Sequence, residues 1–295
     1  MCRPSRLTVA CIWLGLACLV LAAPARADEP ARSEALAWNP AWPKFRASEY
    51  VVTGIAGIGS IGAYFLLTEP SKPLWTGGIL LDNEIRDAFR LRSPRSRDTA
   101  RTLSNVTAVS ATVIAVGVDS FVVPLLRHRP DVAQQLVLMD AESFALSTLI
   151  TTTLFKTTGR ARPSYEDCQR DSSFDSLCRS AVTSSFPSGH TNGAFTAAGL
   201  SCAHHLHLAL YGNPVADTLA CVSELGVAGA TGALRVMGDR HYATDVLTGG
   251  IIGFAIGYGM PTLLHYGKAG SGSEASVTVQ PVEAGFPGAT ISGTF

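Results

Sequence analysis

The sequence predicts an all-α protein, a six-helix bundle of the membrane type. Apolar residues make up 47% of the 295 positions and charged residues only 16%, against about 25% charged residues in ordinary soluble domains. Six apolar segments of 19 to 23 residues follow one another along the chain, and a helix of about 20 residues crosses the hydrocarbon core of a bilayer. The segments are residues 50–68, 104–126, 133–155, 192–211, 215–236 and 243–265.

The composition of these segments is compatible with membrane helices and with a soluble bundle. They are rich in small residues, as closely packed membrane helices are, and Gly249, Gly253 and Gly257 form a stripe that is expected to receive a neighbouring helix. Acidic residues also fall within the segments, and an ionised carboxylate facing lipid would be costly. A soluble all-α bundle is therefore the alternative architecture. The acidic residues are Asp119, Asp140, Glu142 and Glu224.

Residues 1–27 have the pattern of a secretory signal. Arg3 and Arg6 precede an apolar run over 7–23, and the Ala-Arg-Ala of 25–27 has the small-x-small pattern of a cleavage site. The alternative is an uncleaved first span, because an apolar run of 17 residues is at the lower limit for crossing a bilayer.

The rest of the chain divides into three parts. Residues 28–49 form a polar N-terminal segment, residues 50–266 the helical domain, and residues 267–295 a flexible tail that opens with Gly and Ser. Alternation at 276–279 predicts a short strand pair in the tail. Within the helical domain, the arginine-rich connection over 86–101 predicts an amphipathic surface helix.

Charge, cysteine and histidine usage limit the possible partners. Basic and acidic residues balance at 23 each, which indicates no nucleic-acid partner. Cys168 and Cys178 flank a polar loop, and predict either a disulfide in an exported protein or two free thiols. Only some of His204, His205 and His207 share a helix face, which favours a polar interface patch over a metal site.

Three groups of polar residues lie at the ends of apolar segments. They contain basic, hydroxyl, imidazole and carboxylate side chains in a region that is otherwise apolar. The groups are Lys156 to Pro163 after the third segment, Pro187 to His190 before the fourth, and Arg235 with His241 and Asp245 between the fifth and the sixth.

The residue types alone indicate phosphate binding. Lys156, Arg162 and Arg235 supply cations without an acidic excess nearby, and the guanidinium fork suits phosphate oxygens. Ser188 and Gly189, at the start of a helix, offer backbone N–H groups and the positive end of the helix dipole. Neither a metal nor a cofactor is expected, because the cations take the place of a metal and no suitable carboxylate cluster is evident.

The imidazoles supply the predicted chemistry. His241 and Asp245 are four positions apart, hence on one face of a helix if that stretch is helical. The carboxylate can hold one ring nitrogen protonated and leave the other as a nucleophile. His190, beside the anion cradle, is placed to protonate a leaving oxygen.

The three groups together resemble the signature of the type 2 phosphatidic acid phosphatase and vanadium haloperoxidase superfamily. That signature is Lys-x6-Arg-Pro, then Pro-Ser-Gly-His, then Ser-Arg-x5-His-x3-Asp. The second motif is present in full, and the third has Leu234 in place of the usual Ser. In the first motif, five residues and not six separate Lys156 from Arg162, a change that turns the lysine by about 100° around a helix.

The resemblance implies a role for each matching residue. His241 attacks phosphorus and becomes a phosphohistidine, Asp245 orients it, and His190 protonates the departing alcohol. Phosphate binding falls to the remaining matched residues, with Lys156 as the least regular member. These are Lys156, Arg162, Ser188, Gly189 and Arg235.

The expected activity is metal-independent hydrolysis of a lipid phosphate, of the phosphatidate or polyprenyl diphosphate type. The alternatives are a soluble periplasmic acid phosphatase, a vanadate-dependent haloperoxidase and a non-catalytic phosphate-binding membrane protein. The expected location is a bacterial-type inner membrane with the site facing the periplasm, or the periplasm itself with membrane association. An exported N-terminus conflicts with the first location if all six segments cross, because Lys156 and Arg162 would then reach the cytoplasm.

Overall fold

The computed structural model describes residues 35–178 and 183–267, and the backbone of two strands in the tail. The helical domain is all-α, as predicted, with eight helices in the described residues. Six are long, and each overlaps one of the six predicted apolar segments. The helices are α1 Ala47–Leu66, α2 Asp82–Phe89, α3 Pro94–Leu126, α4 Pro130–Thr157, α5 Tyr165–Arg170, α6 Gly189–His207, α7 Pro214–Met237 and α8 Ala243–Tyr266. The chain winds more widely, as π-helix, over Val113–Val122 in α3 and Thr262–Tyr266 in α8.

Local sequence determines where several helices begin. Ser93, Ser188 and Asn213 precede α3, α6 and α7, and each side chain accepts a hydrogen bond from a backbone amide of the first turn. Proline occupies the first helical position of α3, α4 and α7, where its missing N–H costs nothing. Helices α4, α6 and α7 begin within three residues of the predicted apolar segments, whereas α3 begins ten residues earlier than its segment.

Helix α6 lies at the centre of the bundle, and α8 packs closely along it. A Cβ atom on Gly249, Gly253 or Gly257 would collide with backbone atoms of Ser188, Asn192 or Thr196. The glycine stripe therefore receives a neighbouring helix, as predicted, and that neighbour is α6. This contact sets the start of α8 beside the start of α6.

Four of the described helices are long and apolar enough to cross a membrane: α1, α3, α7 and α8. Large exposed apolar side chains lie along them, among them Ile58, Val109, Leu219 and Ile251. Such a set of helices fits a membrane protein. The four acidic residues that argued for a soluble bundle are all buried, at 0 to 3% exposure, so none of them faces the exterior.

The arginine-rich connection differs from the prediction. Helix α2 is amphipathic, but the connection is not one surface helix, because 94–101 already belongs to α3. Arg97 is 1% exposed and pairs with Asp175 at 2.8 Å, and Arg86 pairs with Asp239 at 2.7 Å. Arg86 and Arg97 therefore bind loops to the bundle, whereas Arg92 and Arg95 are exposed.

Two disulfides are present in the described residues. Cys168 and Cys178 are bonded, which resolves the two alternatives of the sequence, and Cys202 of α6 is bonded to Cys221 of α7. The polar N-terminal segment is described from residue 35, whereas the predicted signal over 1–27 lies outside the described residues.

The histidines near the end of α6 and the tail also agree with expectation. His204 hydrogen-bonds Asp140 at 2.9 Å and His205 hydrogen-bonds Asp217 at 2.7 Å, which makes a buried polar interface between helices. In the tail, strand β1 Ser276–Pro281 pairs antiparallel with β2 Ala289–Thr294.

Candidate active site

The three predicted groups meet at one end of the bundle. Helices α4 and α7 end there, whereas α6 and α8 begin there, so residues distant in sequence become neighbours. The amide of Ser188 donates to the carbonyl of Asp245 at 3.0 Å, and the amide of Ser185 donates to the carbonyl of Arg160 at 3.1 Å. These bonds join the loop before α6 to both other groups.

The start of α6 forms an anion cradle. Ser188 is buried and caps the helix, accepting from the amide of Thr191 at 3.4 Å. The amides of Gly189 and His190 belong to the first turn, where no carbonyl inside the helix can accept from them. Both residues are exposed. The cradle therefore offers two N–H groups and the helix dipole to a ligand.

The ring of His241 is held by the backbone of that same loop. It is 3% exposed, and its Nδ1 lies 2.6 Å from the carbonyl oxygen of Ser185. Because a carbonyl can only accept, Nδ1 carries the proton and Nε2 keeps a free lone pair. This is the tautomer that a nucleophilic histidine needs.

Asp245 acts on His241 less directly than its spacing suggests. The shortest approach between its Oδ2 and Nδ1 of His241 is 4.0 Å. The same oxygen accepts from the hydroxyl of Ser185 at 2.6 Å and from the amide of Tyr242 at 2.8 Å. Asp245 thus positions Ser185 and the loop, and through them the imidazole.

Arg160, for which the sequence predicted no role, holds this arrangement together. It is fully buried between the rings of Trp75 and Tyr242, 4.0 Å and 4.3 Å from their centroids. Its guanidinium pairs with Asp82 at 2.7 Å and with Asp245. Arg160 therefore links the start of α2 to the start of α8.

Three arginines surround the two imidazoles. Arg162 is buried and donates to the carbonyl of Arg240 at 3.0 Å and to Ser184 Oγ at 3.3 Å. Arg235 donates to Ser104 Oγ at 3.1 Å, and its buried Nε has no hydrogen-bond partner among the residues that the structure describes. Within the part of the chain that the structure describes, no carboxylate lies within 4.0 Å of Arg235. Arg240 was not among the predicted site residues, although its position beside His241 was an available signal.

One protein-family model matches the part of the chain that contains this site. The family model of the PAP2 superfamily matches residues 138–268. Over this segment the chain is similar to the PAP2 superfamily. The match confirms the predicted resemblance and indicates a phosphatase-type function in general. No curated protein and no solved structure matches the chain.

The PAP2 segment contains all three groups, and its neighbours add to the site. It begins within α4 and ends just after α8. Helices α1 to α3 precede it, yet α2 supplies Asp82, and α3 supplies Ser104 and Asn105 to Arg235. The site is therefore larger than the segment that the family match covers.

Lys156, the irregular residue of the first PAP2 motif, is engaged elsewhere. Its Nζ pairs with Glu69 at 3.1 Å and lies 4.9 Å from the ring centroid of Tyr64. Both partners belong to the end of α1 and the segment after it. The structure thus brings Arg162, Arg235, Ser188, Gly189, His190, His241 and Asp245 together, and pairs Lys156 with a carboxylate.

The excess of positive charge lowers the basicity of the imidazoles in this PAP2 site. Burial, then the charges of Arg162 and Arg235, hold the pKa of His241 well below its usual range. Part of the His190 residue is open to solvent, but partial desolvation of its ring, followed by the charges of Arg235, Arg162 and Arg240, lowers its pKa to about 4. Both rings are neutral at pH 7, so the site is prepared for an anion that would offset the arginines.

This electrostatic balance leads to a testable pH dependence. We expect His190 to titrate near pH 4 in the free protein, and its pKa to rise when sulfate, a dianion over this pH range, occupies the cradle. The pKa of His190 should rise, and not fall, because a bound dianion favours the charged imidazolium. Ring NMR signals, assigned with His190→Asn, report both values. A pKa near 6.5 without sulfate, or no change on adding it, would contradict this account.

Proposed function

We propose that the chain is a metal-independent phosphatase that hydrolyses a lipid phosphate through a phosphohistidine at His241. The observation that supports this most is the state of His241: its Nδ1 proton is bound to the Ser185 carbonyl in a pocket of arginines. A neutral imidazole with a free Nε2 is a nucleophile, and the surrounding cations supply the charge stabilisation that a metal provides in other phosphatases.

In the proposed first step, Nε2 of His241 attacks phosphorus and the bond from phosphorus to the ester oxygen breaks. Arg162, Arg235 and the amides of α6 stabilise the phosphoryl oxygens, which spread charge in such transition states. His190 passes a proton to the departing oxygen. It holds that proton because the bound phosphate dianion raises its pKa from about 4.

In the second step, water attacks the phosphohistidine. His190, now neutral, accepts the proton of the water, and the bond from Nε2 to phosphorus breaks. Phosphate leaves and both imidazoles return to their starting state. Asp245 takes part only by position, through Ser185 and the backbone around His241.

An apolar groove supports a lipid as the substrate. It has a volume of about 1040 Å³ and lies between α7 and α8. Ala243 and Met237 line it close in sequence to His241 and Arg235, so the groove reaches the end of the bundle that carries the site. Phe195 and Phe254 line it further along. A hydrocarbon chain of the substrate would fill such a groove, because burial of its apolar surface stabilises the bound state by about 25 cal/mol per Å².

Filling the groove is expected to separate lipid from soluble substrates. Gly229 of α7 lines it and has open space around the position of a Cβ atom. We expect Gly229→Trp to lower kcat/KM for a long-chain phosphatidate by about tenfold or more, since a loss of about 1.4 kcal/mol of binding costs a factor of ten. Hydrolysis of p-nitrophenyl phosphate should stay within about twofold, since that substrate leaves the groove empty.

The control and the panel of substrates make this test decisive. Gly54→Trp is the matched variant, because Gly54 also has open space but lies on α1, outside the groove. Phosphatidate, a polyprenyl diphosphate and soluble phosphomonoesters are assayed with EDTA present. Equal loss on both substrate types would reject the groove as the chain-binding site. Hydrolysis of soluble esters alone would favour the acid phosphatase, and halide oxidation with vanadate and peroxide the haloperoxidase.

We further propose that the site faces a compartment outside the cytoplasm. The disulfides support this, because such bonds persist in oxidising compartments. Cys168–Cys178 lies in the loop next to the site, and Cys202–Cys221 lies toward the opposite end of α6. Bonds toward both ends favour the arrangement in which most of the bundle is exported and associated with the membrane.

A further inference from the structure

A second cluster of titratable side chains lies at the opposite end of the bundle from the phosphate site. Glu49 of α1, Glu142 of α4 and His265 of α8 bring one ligand atom each within 4.8 Å of one another. About 30 Å along α8 separates His265 from Asp245. We propose that these three residues bind one divalent metal ion, and that Zn²⁺ matches the ligands best.

The burial of the cluster is the first argument. Glu49 is 5% exposed, Glu142 3% and His265 1%. Buried carboxylates are normally paired or bound to a metal, because an isolated charge is costly away from water. Arg46 pairs with Glu49 at 2.7 Å, but no ion pair or hydrogen bond engages the Glu142 carboxylate in the described part of the chain. One carboxylate of the two is left without its counter-charge.

The state of His265 is the second and independent argument. Its Nδ1 lies 3.1 Å from the carbonyl oxygen of Pro43, so Nδ1 carries the proton and Nε2 has the free lone pair. That Nε2 is buried and has no hydrogen-bond partner among the described residues. It points into the cluster, 3.6 Å from Glu49 Oε1. Metal-binding histidines commonly donate their other N–H to a backbone carbonyl in this way.

The spacing of the ligand atoms suits a small cation. Two ligands bound at about 2.1 Å in a tetrahedral site lie about 3.4 Å apart, close to the 3.6 Å between His265 and Glu49. Rotation of the Glu142 side chain would close the remaining gap. Two carboxylates balance the two charges of the ion, and Arg46 stays hydrogen-bonded to Glu49, as partners of ligating carboxylates do. One imidazole with two carboxylates is a ligand set that Zn²⁺ accepts.

Such an ion would fasten three separate parts of the chain. Phe45 stacks on the ring of His265 with their centroids 6.0 Å apart, and Gln135 of α4 accepts from the amide of Phe45 at 2.8 Å. The segment before α1 therefore already rests on α4 and the end of α8. A metal bound by Glu49, Glu142 and His265 would cross-link the same three elements, a structural role separate from phosphate chemistry.

Zinc binding by the untagged, detergent-purified protein tests the proposal. The protein is stripped with EDTA and titrated with Zn²⁺ against a chromophoric chelator, and thermal unfolding is followed in parallel. We expect one Zn²⁺ per chain and a higher Tm on binding. Glu142→Gln should weaken binding at least about tenfold, because even loss of a hydrogen-bond partner of a ligand costs about 10–100-fold in metal affinity. Glu224→Gln is the matched control, because Glu224 is also buried with an unpartnered Oε2 but lies outside the cluster.

The outcomes separate the proposal from its rivals. If Glu142→Gln does not fold, His265→Gln is titrated instead, and the stoichiometry of the wild-type protein still decides. Absence of stoichiometric binding in the wild type would reject the metal and favour a proton shared between Glu142 and its neighbours. Equal binding by the wild type and the ligand variants would show that the ion binds at another site, for example at His190 and His241, and would reject the cluster. Phosphatase activity enters none of these readouts, so the proposal stands or falls apart from the proposed function.

Discussion

Replacing His241 with Asn is expected to reduce phosphate release by at least about a thousandfold, which corresponds to about 4 kcal/mol of activation free energy. Asn keeps a side-chain donor near the carbonyl of Ser185 but has no nucleophilic nitrogen. The His241→Asn protein is therefore expected to form no phosphorylated intermediate. Turnover of a lipid phosphate and trapping of radiolabelled phosphate on the protein, stable to base and labile to acid, measure both effects.

The control for this variant is a histidine at the other end of α6. His207 lies there; among the described residues its ring hydrogen-bonds the carbonyl of Ala203, at 2.7 Å, and stacks on Tyr266. Because it lies away from the site, His207→Asn should retain activity within about threefold. Tm values close to wild type for both variants establish that they are folded. A His241→Asn protein that still turns over substrate, or that still incorporates label, would exclude His241 as the nucleophile.

Removing the guanidinium of Arg160 is expected to have the largest effect on stability. Arg160→Ala leaves two fully buried carboxylates, Asp82 and Asp245, without their shared cation. Breaking a buried ion pair from one side costs about 3–5 kcal/mol, because the remaining charge stays away from water. Thermal unfolding in detergent measures the loss. Activity should fall as well, since Asp245 and Tyr242 position the loop that carries His241.

Arg170→Ala provides the comparison for Arg160. Arg170 is an exposed arginine of α5 whose pair with Glu166 spans 3.7 Å, and pairs of this kind contribute about 0–1 kcal/mol. Unfolding should therefore be nearly unchanged. If Arg160→Ala unfolds at the same temperature as Arg170→Ala, the buried network around Asp245 does not support the fold in the way described.

Much of the site follows from short stretches of sequence. Ser188 and Gly189 mark a helix start because a serine cap and the unpaired amides after it are local features. The spacing of His241 and Asp245 predicted one shared helix face, but only Asp245 lies in α8, because the helix begins at Ala243. His241 precedes it, and the direct partner of its imidazole is the Ser185 carbonyl. A side-chain pattern cannot reveal a backbone partner 56 residues away.

Other features depend on contacts between distant segments. Arg160 is 78 residues from Asp82 and 85 from Asp245. The residues close to Arg160 in sequence therefore do not indicate that it has two carboxylate partners. Arg97 was expected on a surface helix. Instead it is buried in an ion pair with Asp175, which lies 78 residues further along the chain. Buried charges require such partners, and only the folded chain shows which carboxylate meets which guanidinium.

The sequence by itself determined the helices and the resemblance to the PAP2 superfamily over residues 138–268. Apolar segments, proline and hydroxyl caps, and the glycine stripe act within a few turns of helix, and the ordered motifs carry the PAP2 resemblance. The tertiary structure decided what surrounds the motifs: the engagement of Lys156 with Glu69, the role of Arg160, and the meeting of Glu49, Glu142 and His265. The physical reason is that periodicity and capping are local, whereas the pairing of buried charges depends on how the helices pack.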